Sequence, residues 1–149
     1  MESLDREIVT RLAKDSSVSV GDLAASLDVP TSTLHQRIKK LESKGVIDGY
    51  QARVNQRAVG LAVHALISLT PIDPARPDDI AALIEPIEEI ESCWSVAGVE
   101  SYIVKVSVPE PSDLEHLLGR IRSAANVSTR TTVILSTPFE GRQATIPED

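Results

Sequence analysis

The sequence predicts an α+β chain: a three-helix unit followed by a small sandwich of alternating strands and helices. Three observations carry that prediction. Apolar residues recur at helical spacing three times in the first 45 positions. Further on they fall in short runs or alternations bounded by Pro and Gly, as strands do. Charge is also divided unevenly. The chain has 149 residues and a formal net charge of −7, with 42% hydrophobic residues, which suits a folded chain rather than a disordered one. Residues 1–60 hold nine Lys/Arg against eight Asp/Glu, while residues 61–149 hold six against fourteen. The first part is therefore able to meet a polyanion although the whole chain is acidic.

Leu4, Ile8, Val9 and Leu12 lie on one face of a first helix, which Asp15, Ser16 and Ser17 end. Ser19 offers an N-cap for a short second helix with Val20, Leu23, Ala24 and Leu27 on its apolar side. Asp28, Val29 and Pro30 leave room only for a tight turn. A third helix is predicted over residues 31–44, with Leu34, Ile38 and Leu41 buried and Gly45 at a left-handed C-cap. Residues 46–54 then read as extended.

Two helices joined by three or four residues, the second carrying the charge, make a helix-turn-helix. Ala24 supplies the small side chain that a close helix crossing needs. Residues 31–44 carry four Lys/Arg against the single acid Glu42. Hydroxyls at the helix start reach phosphates or base edges, Gln36 suits adenine, and Arg37 suits guanine or a phosphate. Thr31, Ser32, Thr33, His35, Gln36, Arg37, Lys39 and Lys40 are thus the candidate contacts to double-stranded DNA. A lone basic helix is more often a solvated face. The short preceding helix, the tight turn and the local charge excess favour DNA recognition here.

The second half reads as βαββαβ. Residues 61–69 alternate with both faces largely apolar, which predicts a strand buried on both sides. Pro71 and Pro74 break it. Pro77 is placed at the first position of a helix, with Asp78 and Asp79 in its first turn and Ile80, Leu83, Ile84 and Ile87 along its stripe. Residues 90–97 and 102–108 are two strands joined by a turn at Gly98. Ser112 to Glu115 reads as a capping box opening a helix whose Leu114, Leu117, Leu118 and Ile121 face inward. Residues 129–135, rich in β-branched side chains, are the last strand. This order is a ferredoxin-like, ACT-like sandwich with four antiparallel strands and two helices on one face. Leu66, Ile103 and Ile134 fall on the other face. A second copy of the sheet is the simplest cover for it, and this predicts a homodimer.

Several chemistries find no support. The one cysteine, Cys93, permits no internal disulfide and no cysteine-based metal site. His35, His64 and His116 are spread apart without metal spacing, so no metal site and no cofactor are predicted. Glu85, Glu88, Glu89 and Glu91 fit a solvated edge better than an ion site. No catalytic residues are assigned, because no nucleophile–base motif is present. The N-terminus lacks a basic-then-apolar leader and no apolar run is long enough to span a bilayer, so the expected location is cytoplasmic, with no membrane partner.

The stretches LDREIVTRLAKDSSVSVGDLAASLDVPTSTLHQRIKKLESKGVIDGY, CWSVAGVESYIVKV and TRTTVIL resemble the Lrp/AsnC (leucine-responsive regulatory, feast/famine) family of transcription regulators. The resemblance runs from Leu4 to about residue 137. It implies a sequence-specific DNA-binding regulator, a linking strand, an effector domain, dimers that often form octamers, and amino-acid effectors bound between dimers. The implied organisation is a helix-turn-helix domain at 1–45, a linking strand and hinge at 46–60, an effector-binding and oligomerisation domain at 61–137, and a tail at 138–149. The effector is expected at Gly98, Val99, Glu100, Ser101 and Tyr102. Gly98 would turn the backbone and present N–H groups to a carboxylate, Ser101 would hydrogen-bond, Tyr102 would either wall the pocket or pack in the sheet, and Glu100 would face the ammonium if it turns inward and solvent otherwise. The sequence departs from the family at Pro30, where a serine is usual, at Gln36, often basic, and at Ser101, often acidic. Two alternatives stand beside this reading. One is a ligand-independent DNA-organising protein; the other is an enzyme, a tetrapyrrole decarboxylase of similar two-part architecture.

Overall fold

Ile8, Leu12, Leu23, Ala24, Leu34, Ile38 and Leu41 close the first of two hydrophobic cores. The computed structural model describes residues 1–75 and 78–142. These seven side chains come from α1 (Ser3–Lys14), α2 (Val20–Ser26) and α3 (Thr31–Ser43). Ser19 caps α2 by accepting the Asp22 N–H at 3.0 Å. The turn into α3 places Asp28 in the left-handed region at φ 53°, a conformation that Asp and Asn tolerate better than other side chains. At its far end α3 stops in a Schellman motif. The Val46 N–H donates to Leu41 O and the Gly45 N–H to Glu42 O, with Gly45 at φ 66°.

The extended residues 46–54 form no strand. A strand is held by a neighbour's ladder, and among the described residues no segment pairs with this one. A 3-10 turn, Gln56–Val59, follows.

The second core lies under a four-stranded sheet. Strands β1 (Val63–Pro71), β2 (Ile90–Ser95), β3 (Tyr102–Val108) and β4 (Val127–Val133) are ordered β2-β3-β1-β4, with every neighbouring pair antiparallel. Helices α4 (Ile80–Ile84) and α5 (Pro111–Ala125) cover one face. Ala65, Ile67 and Leu69 of β1 and Val104, Val106 and Val108 of β3 point into this layer with Leu117 and Ile121 of α5. The chain divides into two compact units, Met1–Arg53 and Val54–Pro138, and described residues 139–142 group with the first.

Four local expectations change. Strand β1 is buried on one side only: Leu66 keeps 36% of its surface exposed, because no helix covers that face. Helix α4 begins at Ile80, so Asp78 and Asp79 precede it instead of forming its first turn; Pro77 lies outside the described residues. Leu83 is exposed rather than part of the stripe. The capping box of α5 is Glu110 with Asp113, not Ser112 with Glu115, and Pro111 takes the first position, where its missing N–H does no harm. Of the tail, residues 143–149 lie outside the described residues. Before them, the Arg142 guanidinium stacks 4.0 Å from the Phe139 ring centroid.

Candidate functional site

The first site is the outer side of α3. Leu34, Ile38 and Leu41 turn inward, which forces the residues between them outward at 3.6 residues per turn. Thr31, Ser32, Thr33, His35, Gln36, Lys39 and Lys40 are all exposed, so seven of the eight expected DNA contacts share an open surface. Helix α3 has no acid in its first turn, which keeps its positive end free for a phosphate. Arg37 differs. Its Nη1 donates to Glu2 Oε2 and to Asp5 Oδ1, each at 2.8 Å. These contacts, Asp5 first and then Glu2, raise the pKa of its guanidinium above the ordinary arginine value. Ser43 is also exposed, one turn beyond Lys39.

The second site surrounds the turn between β2 and β3. Val96 N–H donates to Ser101 O, and Ser101 N–H donates to Leu69 O, each at 3.0 Å. The expected run 98–102 is divided by this geometry. Gly98 and Val99 form the projecting tip. Gly98 does not need the left-handed region, and a Cβ there would meet nothing within 4 Å; glycine leaves bare backbone at the tip instead of relieving strain.

Glu100 turns inward toward the helix-free face. Its Oε1 accepts from Ser68 Oγ at 3.1 Å and from Arg130 Nη2 at 3.4 Å. A bond from its own N–H, then the Ser68 hydroxyl, then the Arg130 charge hold its carboxyl below the usual range. Ser101 takes the opposite side. It lines a cleft of about 230 Å³ with Asp73, Asp78, Asp79, Ile80 and Asn126. Tyr102 is buried in the core and donates its hydroxyl to Asp78 Oδ1 at 2.9 Å, so it packs in the sheet rather than walling a pocket at the tip. That bond is the main reason its phenol stays protonated to higher pH than usual, with burial second. Ser68 and Arg130 are the partners the sequence did not disclose. They sit on strands 30 or more positions from Glu100, and only the β1–β4 register, which pairs Ser68 with Arg130, brings them together.

His35 belongs to the α3 surface and, like His116, is exposed. His64 Nδ1 lies 2.7 Å from Ser107 Oγ on the helix-free face. Glu89 pairs with Arg120, and Glu91 Oε2 lies 3.7 Å from Lys105 Nζ. Burial alone raises the Cys93 thiol pKa, the reverse of an activated cysteine. No helix among the described residues is long and apolar enough to cross a membrane.

Comparison with known proteins matches the two parts of the chain to two families of domain. The profile described as Lrp/AsnC ligand binding domain matches residues 63–144, and winged helix-turn-helix DNA-binding matches residues 1–48. The HTH-type transcriptional regulator LrpA of Mycobacterium tuberculosis is 46% identical over 143 residues, covering 96% of this chain and 95% of its own. The leucine-responsive regulatory protein of Salmonella typhimurium is 29% identical over 140 residues, covering 91% and 85%. A feast or famine regulatory protein of Mycobacterium tuberculosis, solved in complex with L-methionine, superposes with a TM-score of 0.94 at 46% identity, covering 96% of this chain and 97% of that one.

Proposed function

The chain belongs to the Lrp/AsnC family of transcription regulators, and we propose that α3 reads its operator while an amino acid at the β2–β3 turn adjusts DNA binding. The protein is a regulator with a helix-turn-helix and a ligand-binding domain, and its relatives are regulators rather than enzymes. The tetrapyrrole decarboxylase alternative falls with that.

The exposed polar and basic outer side of α3 carries the proposal. Lys39 and Lys40 supply phosphate contacts, and Ser32, Thr33, His35 and Gln36 shape base preference, with Thr31 at the helix start. The protein then acts where the DNA is, in the cytoplasm.

For the effector, the relative bound to L-methionine supports an amino acid. Glu100 offers a carboxylate to an ammonium group, and the bare backbone of Gly98 and Val99 offers N–H groups to a carboxylate. Ser101 adds one hydrogen bond from the cleft side. These groups diverge within one chain, so a complete site draws on a second copy. The helix-free face supports a homodimer. Leu66, Ile103 and the 47% exposed Trp94 lie on it, and residues 46–54 lack a strand partner among the described residues.

A gel shift with the DNA upstream of its own gene, with and without a panel of amino acids, tests the proposal. Retardation that an amino acid alters is expected. Retardation of every fragment alike, with no amino-acid effect, would favour the DNA-organising alternative.

A further inference from the structure

We infer that Arg37 is not a DNA-reading residue but a positioning residue, which sets the roll of α3 through a clamp on the start of α1. The clamp rests on α3 being the reading helix. Leu34, Ile38 and Leu41 mark the buried line of α3. At about 100° per residue, Ser32, Gln36, Lys39 and Ser43 fall on the side opposite that line, whereas Arg37 lies only about 60° from it. Arg37 thus projects from the margin of the helix, toward α1 rather than outward.

What it meets there is well sheltered. The Arg37 side chain is 28% exposed and that of Asp5 only 13%. Both carboxylates converge on the single nitrogen Nη1. Glu2 occupies the N-cap position of α1 yet makes no cap bond; its carboxylate goes to Arg37 instead. Asp5, in the first turn of α1, is favoured by the helix dipole, so the anionic half of the clamp is preformed. An arginine that contacted a phosphate would have to leave both carboxylates, stranding the sheltered Asp5 charge without its partner, a costly exchange.

Apolar contacts between α1 and α3 are non-directional, whereas the two charged hydrogen bonds at the helix edge are directional and resist a roll of α3. Rolling α3 moves Ser32, Gln36 and Lys39 together relative to the bases. Arg37 therefore governs selectivity without touching DNA, and the basic residues of α3 left for phosphates are Lys39 and Lys40.

The full-length protein tests this with two duplexes: one selected from random sequence by the parent chain, and one scrambled. Arg37→Gln and Asp5→Asn are each expected to reduce the ratio of the two affinities roughly three- to tenfold, with no change in salt slope. Their double variant is expected to lose no more than either alone. Arg37→Lys is expected to recover most of the ratio, because one ammonium nitrogen can serve both carboxylates. A merely destabilised unit would weaken both duplexes equally and leave the ratio unmoved; that result overturns the inference. So does a salt slope lowered by about one in Arg37→Gln with Asp5→Asn behaving as the parent, since Arg37 would then bind a phosphate. Lys39→Ala is the internal standard, expected to lower the slope by about one. If it does not, the reading-helix proposal fails, and the clamp's role in recognition fails with it.

Discussion

Leu34→Ala is expected to unfold the DNA-binding unit while leaving the ligand-binding unit intact. Leu34 is fully buried in the three-helix core. Truncation removes about three methylene equivalents, near 2.4 kcal/mol of transfer free energy at about 0.8 kcal/mol each. The cavity left in a core that relaxes only partly brings the total to about 3–5 kcal/mol. A unit spanning Met1–Arg53, at about 0.05–0.15 kcal/mol per residue, has about 3–8 kcal/mol in all. The substitution therefore removes most or all of the margin. The two units carry different reporters. Helices α1 to α3 contain 12, 7 and 13 residues against 5 and 15 in α4 and α5, so far-UV circular dichroism follows mainly the first unit. The single tryptophan, Trp94, lies on β2 and reports only the second. Urea titration of Leu34→Ala should show absent or early helical amplitude with the Trp94 transition near its parental midpoint. If both signals shift together, the two cores unfold as one and the independence of the units is refuted.

Other expectations concern the surfaces. Lys39→Ala or Lys40→Ala should weaken binding to all duplexes, and each should lower the salt slope by about one as its phosphate is left unneutralised, read by titrations at several salt concentrations. Ile103→Asp places an unpaired charge on the proposed dimer face; sedimentation at about micromolar concentration should show monomer where the parent shows dimer. Gly98→Asp, whose Cβ would meet nothing within 4 Å, should abolish amino-acid heat in calorimetry, while Glu115→Gln on α5 should preserve it. The Glu100 carboxyl is depressed by its own N–H, Ser68 and Arg130. Its contribution to stability is thus present above the ordinary carboxylate pKa and lost as pH falls through the lower folded value. Glu100→Gln should remove that acid-side loss from the Trp94 unfolding profile.

The sequence makes the helices and strands legible because their signals are local. Leu34, Ile38 and Leu41 fix the buried side of α3, Ser19 fixes the start of α2, and Gly45 fixes the end of α3. What escapes it depends on tertiary register. Arg37 reads as one more cation on a basic helix until the fold sets Glu2 and Asp5 beside it. The Glu100 partners Ser68 and Arg130 become visible only with the β1–β4 pairing. Apolar residues on both faces of β1 suggest full burial, but one chain has helices enough for one face only. The fate of residues 46–54 is illegible for the same reason: strand propensity does not supply a partner strand.

Fluorescence anisotropy of a parent-selected duplex, titrated with the full-length protein in the absence and presence of saturating L-methionine and then of the other amino acids, tests the central claim. At least one amino acid should shift the dissociation constant by about fivefold or more, the lower range of coupling between two sites. Identical curves under all twenty, with the duplex still bound selectively, would contradict an effector-controlled regulator and leave one that binds its DNA without regard to amino acids.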